Sequence, residues 1–263
     1  MIRVAALFLA LVGCAPAAPE RGGGIVSTNP CADAILVRLV APGRIAAISR
    51  YSHDAAATSI PLSVARRFRA TAGTAEEVIA LRPSLVLAST FTAAATREAY
   101  ARAGLRVVYL DMPADVAASV AQVREVAAAV GERAKGEKMA RSIENAVRAE
   151  RTEGGRQPAA LLYIAGDLVN GAGTLLDDLI HRAGFRNAAA DYGLANTGTL
   201  PAELLVAHPP AVIIAAGRGR TADLRRRLLP DTPVVAFDRG LVNCGGPIIP
   251  AALARLRTIR AGL

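Results

Sequence analysis

From Ile25 onward the chain alternates short apolar runs with stretches of helical spacing. The runs Ile25-Val26-Ser27, Ile45 to Ile48, Leu85 to Ala88 and Val107 to Leu110 have the length and apolar content of buried strands. Between them, Cys31 to Val40, Ser63 to Arg67, Glu76 to Leu81 and Thr92 to Ala103 carry helical periodicity. Gly104 stands where a helix ends and the next strand begins, the usual place for a left-handed cap. Strands alternating with helices in this way predict βαβ units and parallel sheets.

The pattern changes between Ala114 and Arg151, where helical spacing continues without a strand signal and is interrupted only around Gly131 and Gly136. This stretch predicts a helical spine joining two lobes. A second α/β series follows, with strands Ala160 to Ala165, Ala211 to Ala216 and Pro233 to Phe237. Its helices are Thr174 to Ala183, Ala202 to Ala207, Ala222 to Leu229 and Ile249 to Ala261. The two halves share a unit. Glu76 stands seven residues before Pro83 and nine before Leu85, and Glu203 stands seven before Pro210 and nine before Val212. Matching offsets point to pseudo-twofold lobes, although an acidic residue opening a short helix also suits the helix dipole.

The N-terminus carries a separate signal. Arg3 precedes an apolar run from Val4 to Val12 that is too short to span a bilayer. Leu11-Val12-Gly13-Cys14 resembles a bacterial lipobox, so residues 1–13 are expected to be a signal peptide and Cys14 the lipidated start of a 14–24 tether. An ordinary cut near Ala15-Pro16-Ala17 is the alternative; both export the chain to the periplasm or cell envelope. The mature chain would keep 30 basic residues against 22 acidic ones, 30 − 22 = +8.

Composition narrows the remaining classes. A hydrophobic share of 52% with 20% charge fits a packed globular chain rather than a disordered one. Lys135 and Lys138 are the only lysines, and the arginines are scattered through helical stretches. The one dense run, Arg225 to Arg227, lacks interleaved aromatics, which excludes a nucleic-acid groove. Aromatic residues make up 4%, with no Trp, so a ligand pocket must make do with five Phe and five Tyr, which weakens readings that need large stacking platforms. Cys31 and Cys244 are the cysteines left after Cys14; in an oxidising compartment they are either a disulfide or two separate thiols.

Four pieces, in order along the chain, carry a resemblance: Ile25 to Asp33, Arg44 to Ser49, the paired Glu76 to Leu87 and Glu203 to Ile214 units, and Gly171 to Gly184. Together they resemble the ABC-transporter substrate-binding proteins that take up cobalamin, ferric siderophores and haem. The resemblance implies an α/β fold of two Rossmann-like lobes with parallel sheets, joined by a long rigid helix, with the ligand in the cleft between them. The expected divisions are an N-terminal lobe over 25–113, the spine over 114–151 and a C-terminal lobe over 152–263. It also implies that Glu76 and Glu203 dock onto a membrane permease dimer that works with its own ATPase. His208-Pro209-Pro210 departs from the single proline usual in the second unit. The chain is expected to act as a single copy, anchored to the membrane by lipid, with no cofactor of its own.

In open α/β sheets ligands sit beyond the carboxyl ends of strands. The loops there supply the candidate ligand-binding residues: Asn29, Cys31, Tyr51, His53, Asp54, Phe91, Asp167, Tyr192, Arg218 and Cys244. Tyr51 and His53 have side chains able to ligate iron or cobalt, with Asp54 placed to orient the ring; alternatively His53 only bonds its neighbours. A corrinoid or iron chelate ranks above haem because the chain is poor in aromatics. Two rival classes remain, an exported α/β enzyme using Gly171-Ala172-Gly173 as a phosphate cradle and a ligand sensor without transport. No G-x-G-x-x-G, Walker lysine or G-x-S-x-G elbow supports the enzyme.

Overall fold

A computed structural model describes residues 23–148, 157–217 and 220–263. The expected signal peptide, Cys14, the tether up to residue 22 and Arg218 lie outside these described residues. In the first half, the apolar run at Ile25 becomes the central strand β1 (Gly23–Ser27), parallel to its neighbours β2 (Ile45–Ser49) and β4 (Pro83–Ser89). With β3 (Ala70–Thr71) and β5 (Val107–Leu110) the sheet runs β3-β2-β1-β4-β5. The crossovers are α1 (Pro30–Leu39), α2 (Leu62–Ala65), α3 (Ala75–Ala80) and α4 (Ala94–Arg102). Asn29 and Thr74 cap α1 and α3 by accepting from free first-turn amides, which fixes where each crossover begins.

The helical stretch after β5 is a hairpin, α5 (Val116–Ala129) and α6 (Arg133–Arg148), rather than one continuous helix. Gly131, at φ 78°, makes the left-handed turn that ends α5. Gly136, expected as an interruption, lies inside α6, where its lack of a Cβ lets the helix press against Ala127 of α5. Arg124 holds the register of the pair through Glu137 at 2.9 Å and Glu144 at 3.0 Å.

The second half centres on β6 (Ala159–Ala165), which turns back into the short antiparallel β7 (Leu168–Val169). After α7 (Leu175–Arg182), β8 (Arg186–Asn187) pairs with the start of β6 and β9 (Gly198–Thr199) pairs with β7. Helix α8 (Ala202–Ala207), β10 (Val212–Ala216), α9 (Arg220–Leu228) and β11 (Val234–Phe237) complete a sheet ordered β11-β10-β6-β7-β9. The closing α10 (Ile249–Ala261) packs on both α6 and α7. Strands β3, β7, β8 and β9 are two residues long, too short to leave an apolar run in the sequence.

One apolar core runs through both halves. It joins Leu36 of α1 and Leu87 of β4 to Val123 and Ile143 of the hairpin and to Leu162, Ile214 and Leu253 of the second half. Polar bonds tie the same junction. The Val116 amide donates to Asp178 at 2.9 Å, and the Gly246 amide donates to the Ser119 hydroxyl at 2.7 Å. The lobes therefore meet over buried surface, and relative movement between them has to work against that packing.

Candidate functional site

The carboxyl ends of β1, β2, β4 and β5 deliver Ser27, Ser49, Ser89 and Leu110 to one edge of the first sheet. Beyond β2 the chain forms the 3-10 turn Arg50–His53. Tyr51 stands half-exposed on it, with the Arg50 guanidinium 5.2 Å from its ring centre. His53 is partly buried, and its Nε2 has no hydrogen-bond partner. Phe91 after β4 and Met112 after β5 are 73% and 72% exposed, an unusual placement for large apolar side chains. This edge therefore offers one phenol and two bare apolar groups to whatever enters the cleft, while the His53 Nε2 is itself buried.

Other candidates on this side are engaged in holding the fold. The Asn29 side-chain oxygen accepts from the amides of Cys31 at 2.9 Å and Ala32 at 3.3 Å. Asp54 accepts from the Ala56 amide at 2.8 Å, closing a local turn rather than orienting His53.

Across the cleft, the second lobe presents a basic cavity of about 210 Å³ beyond β6 and β10. Tyr163, Gly166, Gly217, Thr221, Arg225 and Arg239 line it. Arg225 is only 5% exposed. Its Nη2 donates to the Gly166 carbonyl at 2.6 Å and to Asp167 at 2.9 Å, and its guanidinium lies 3.4 Å over the Tyr163 ring. Burial pushes the Tyr163 hydroxyl above its ordinary pKa, so the wall stays neutral apart from the arginines. Asp167 thus serves as counter-ion to Arg225, with 70% of its side chain exposed to the cleft edge.

Sequence reasoning passed over Arg225, Arg239 and Met112. Ala222, Arg225 and Leu229, spaced as one helix face, are all buried, and that spacing singled Arg225 out from its two solvated neighbours. Replacing Arg225 with alanine is expected to cost about 2 to 4 kcal/mol, because it removes a buried side chain that bonds the Gly166 carbonyl and covers the Tyr163 ring. Asp167→Ala removes only an exposed partner and should cost under about 1 kcal/mol. Urea unfolding of the two variants beside the parent checks the ratio.

The two lobes are stitched along one side of the cleft. Cys31 and Cys244 form a disulfide, with Cα atoms 5.2 Å apart, so neither thiol is available to a ligand. The Asn243 amide donates to the carbonyls of Ala56 and Thr58, both at 3.3 Å. Tyr192 lies elsewhere: its hydroxyl donates to the His208 carbonyl, ahead of β10 and away from the carboxyl ends of the strands. That placement removes it from the residues the cleft brings together.

The Gly171-Ala172-Gly173 segment is not shaped as a phosphate cradle. A Cβ at Gly171 would run into the Asn196 backbone, and the Gly173 amide is already bonded to Asp177 at 3.0 Å. Asp177 and Asp178 occupy the first turn of α7, where an incoming anion would meet two carboxylates. Glu76 and Glu203, by contrast, are exposed in the first turns of α3 and α8. Each lies near the carboxyl edge of its own sheet, Glu76 just after β3 and Glu203 just after Leu200, whose amide donates to the Asp167 carbonyl.

The profile of the periplasmic binding protein family matches residues 25–236. No curated relative matches the chain. Among solved structures, the periplasmic heme-binding protein RhuT from Roseiflexus sp. RS-1, in apo form, superposes with a TM-score of 0.74 at 22% identity, covering 91% of this chain and 97% of its own. The periplasmic heme-binding protein HutB of Vibrio cholerae gives 0.73 at 18% identity over 90% and 98% of the two chains. The periplasmic vitamin B12 binding protein BtuF of Vibrio cholerae gives 0.72 at 16% identity over 90% and 96%. These likenesses are of fold, and they span almost the whole length of each relative. The match along most of the sequence decides the identity: the chain belongs to the periplasmic binding protein family.

Proposed function

We propose that the chain is the extracytoplasmic binding component of an ABC importer and carries a metal chelate of the corrinoid, ferric-siderophore or haem kind. The observation that carries this reading is the pairing of the two cleft walls. Tyr51, Phe91 and Met112 on one side offer a donor and apolar surface, while Arg239 in the cavity on the other suits a carboxylate or phosphate arm. The exposed Phe91 and Met112 offset the scarcity of aromatics that ranked haem lowest, so haem stands level with the other two. RhuT and HutB bind heme and BtuF binds vitamin B12, as their names state. The family is one of transport proteins, and the carboxylate-filled first turn of α7 argues against the enzyme alternative.

Glu76 and Glu203 serve as the contacts to the permease, where exposed charges steer docking and set register more than they add affinity. Cys14 carries the lipid that keeps a single copy of the chain at the membrane surface. The test is a thermal and optical titration of the mature protein with haemin, cyanocobalamin, cobinamide and several ferric siderophores. A cargo present at a hundred times its Kd should stabilise the fold by about 2.7 kcal/mol. Tyr51→Phe should weaken that cargo about tenfold or more, the loss of one hydrogen bond or ligand bond to a charged centre. Absence of any shift across the panel would overturn the metal-chelate reading.

A further inference from the structure

Asp33 is a carboxylate with no solvent exposure, in the first turn of α1 directly beneath the Tyr51 turn. Its Oδ2 accepts from the Ser49 amide at 3.0 Å and from the Ser52 hydroxyl at 2.6 Å, so both bonds reach the segment that carries Tyr51 and His53. Its Oδ1 is buried with no hydrogen-bond partner among the described residues. The Ser27 hydroxyl beside the carboxyl gives its proton to the Asn29 carbonyl at 3.1 Å. A buried, half-satisfied carboxylate is costly as an anion and tolerable as an acid.

We propose that Asp33 is the positioning residue of the Arg50–His53 turn, holding it in place when protonated and loosening it when ionised. Covering the carboxyl excludes water, and moving the turn aside lets water reach it. The ionised form therefore favours the displaced turn and the neutral form the seated one. Burial pushes the carboxyl up to about 7, against the bonds from Ser52 and Ser49, which pull it down. The sign follows by linkage: the seated turn binds the proton more tightly, so its advantage is present at acidic pH and lost as pH rises through about 7. The elements packed against α1 add few ionisable groups. The turn brings Arg50, Tyr51 and His53; α5 brings Arg124 and Glu125 on its exposed face; β1, β2 and the 246–248 turn bring none.

Because Tyr51 rides on this turn, cargo affinity should fall with the same midpoint. That consequence rests on the proposed function, whereas the hold on the turn does not. The experiment is hydrogen exchange of the full mature chain without cargo between pH 5.5 and 8.5, corrected for intrinsic rate. Protection of the Ser49 to Asp54 amides is expected to fall by up to about tenfold per pH unit as pH rises toward about 7, the limit for one proton, and to level off above it, where both states are ionised. Asp33→Asn should keep the turn protected at every pH, and His53→Gln should retain the wild-type step. Ser52→Ala deletes a bond that favours the anion and should move the step to higher pH; it reads the same switch should the asparagine variant fail to fold.

A flat wild-type profile, or an unchanged step in Asp33→Asn, overturns the inference. Parallel titrations with haemin and cyanocobalamin separate the two readings. An exchange step with no binding of either sinks the cargo class and leaves the switch standing. Binding whose affinity ignores pH, beside a clear exchange step, removes the coupling to cargo.

Discussion

Replacing Cys31 and Cys244 together by serine is expected to lower the unfolding free energy by about 5 kcal/mol. The two residues are separated by 213 positions. Closing so long a loop removes much of the entropy of the unfolded chain, and the loop-entropy relation gives about 5 kcal/mol for a closure of this length. The change to the folded state is minor by comparison, since serine fits the space and Asn243 keeps its bonds to Ala56 and Thr58. Guanidinium unfolding of the double variant, and of the parent with and without reductant, should show matching midpoints for the variant and the reduced parent. A double variant within about 1 kcal/mol of the oxidised parent would sink the idea. The bridge also pins the start of α1 to the loop after β11 and so restrains the two halves relative to one another. Small-angle scattering should therefore show a broader size distribution for the reduced protein.

Most of the fold could be read in the sequence because its principal strands are buried on both faces and leave continuous apolar runs. β5 and α10 begin and end where the pattern places them, and β1, β2, β4 and β6 extend it by one or two residues. The two-residue strands were not legible, since their pairing is set by the turn after β6 and by the return from α7 rather than by their own composition. The hairpin of α5 and α6 was only half legible: Gly131 marked the turn, but Gly136 reads the same in sequence and does the opposite. The site divides along a similar line. Tyr51, His53 and Phe91 could be placed beyond the carboxyl ends of β2 and β4 because loops after strands can be located from strand positions alone. Asn29 and Asp54 were placed in the same loops, yet their short polar side chains serve the local backbone, as such residues do at caps and turns. Tyr192 was misplaced because its loop begins at the far end of β6 and climbs to the cleft edge only at Gly198. Asp33 required the packing itself, because nothing in the sequence says that its carboxylate is buried, whereas the spacing of Ala222, Arg225 and Leu229 marked the inward arginine of α9.

Gly136→Val is expected to destabilise the chain by about 3 kcal/mol or more, although glycine inside a helix is ordinarily a weakness. Helix propensity alone favours replacement, with alanine gaining up to about 1 kcal/mol over glycine. Against this, any Cβ at position 136 overlaps the Cβ of Ala127, which has no rotamer to yield and sits on the backbone of α5. Relief must come from separating the helices, and overpacking of that kind costs about 1 to 3 kcal/mol for small additions. Alanine should therefore be net destabilising by about 1 kcal/mol, and the branched valine by more. The Arg124 pairs with Glu137 and Glu144 are exposed and too weak to hold the helices together against the strain. Ala127→Gly should restore much of the loss in the double variant, giving a coupling energy that a general loss of helicity would not produce. A valine variant as stable as the parent, or a loss that Ala127→Gly leaves untouched, would show that the contact does not set the helix spacing. The spacing matters beyond stability because α5 packs on α1 and α7 while α6 packs on α10. A shift of α6 away from α5 would therefore be felt at α10, which packs on both α6 and α7 of the second half.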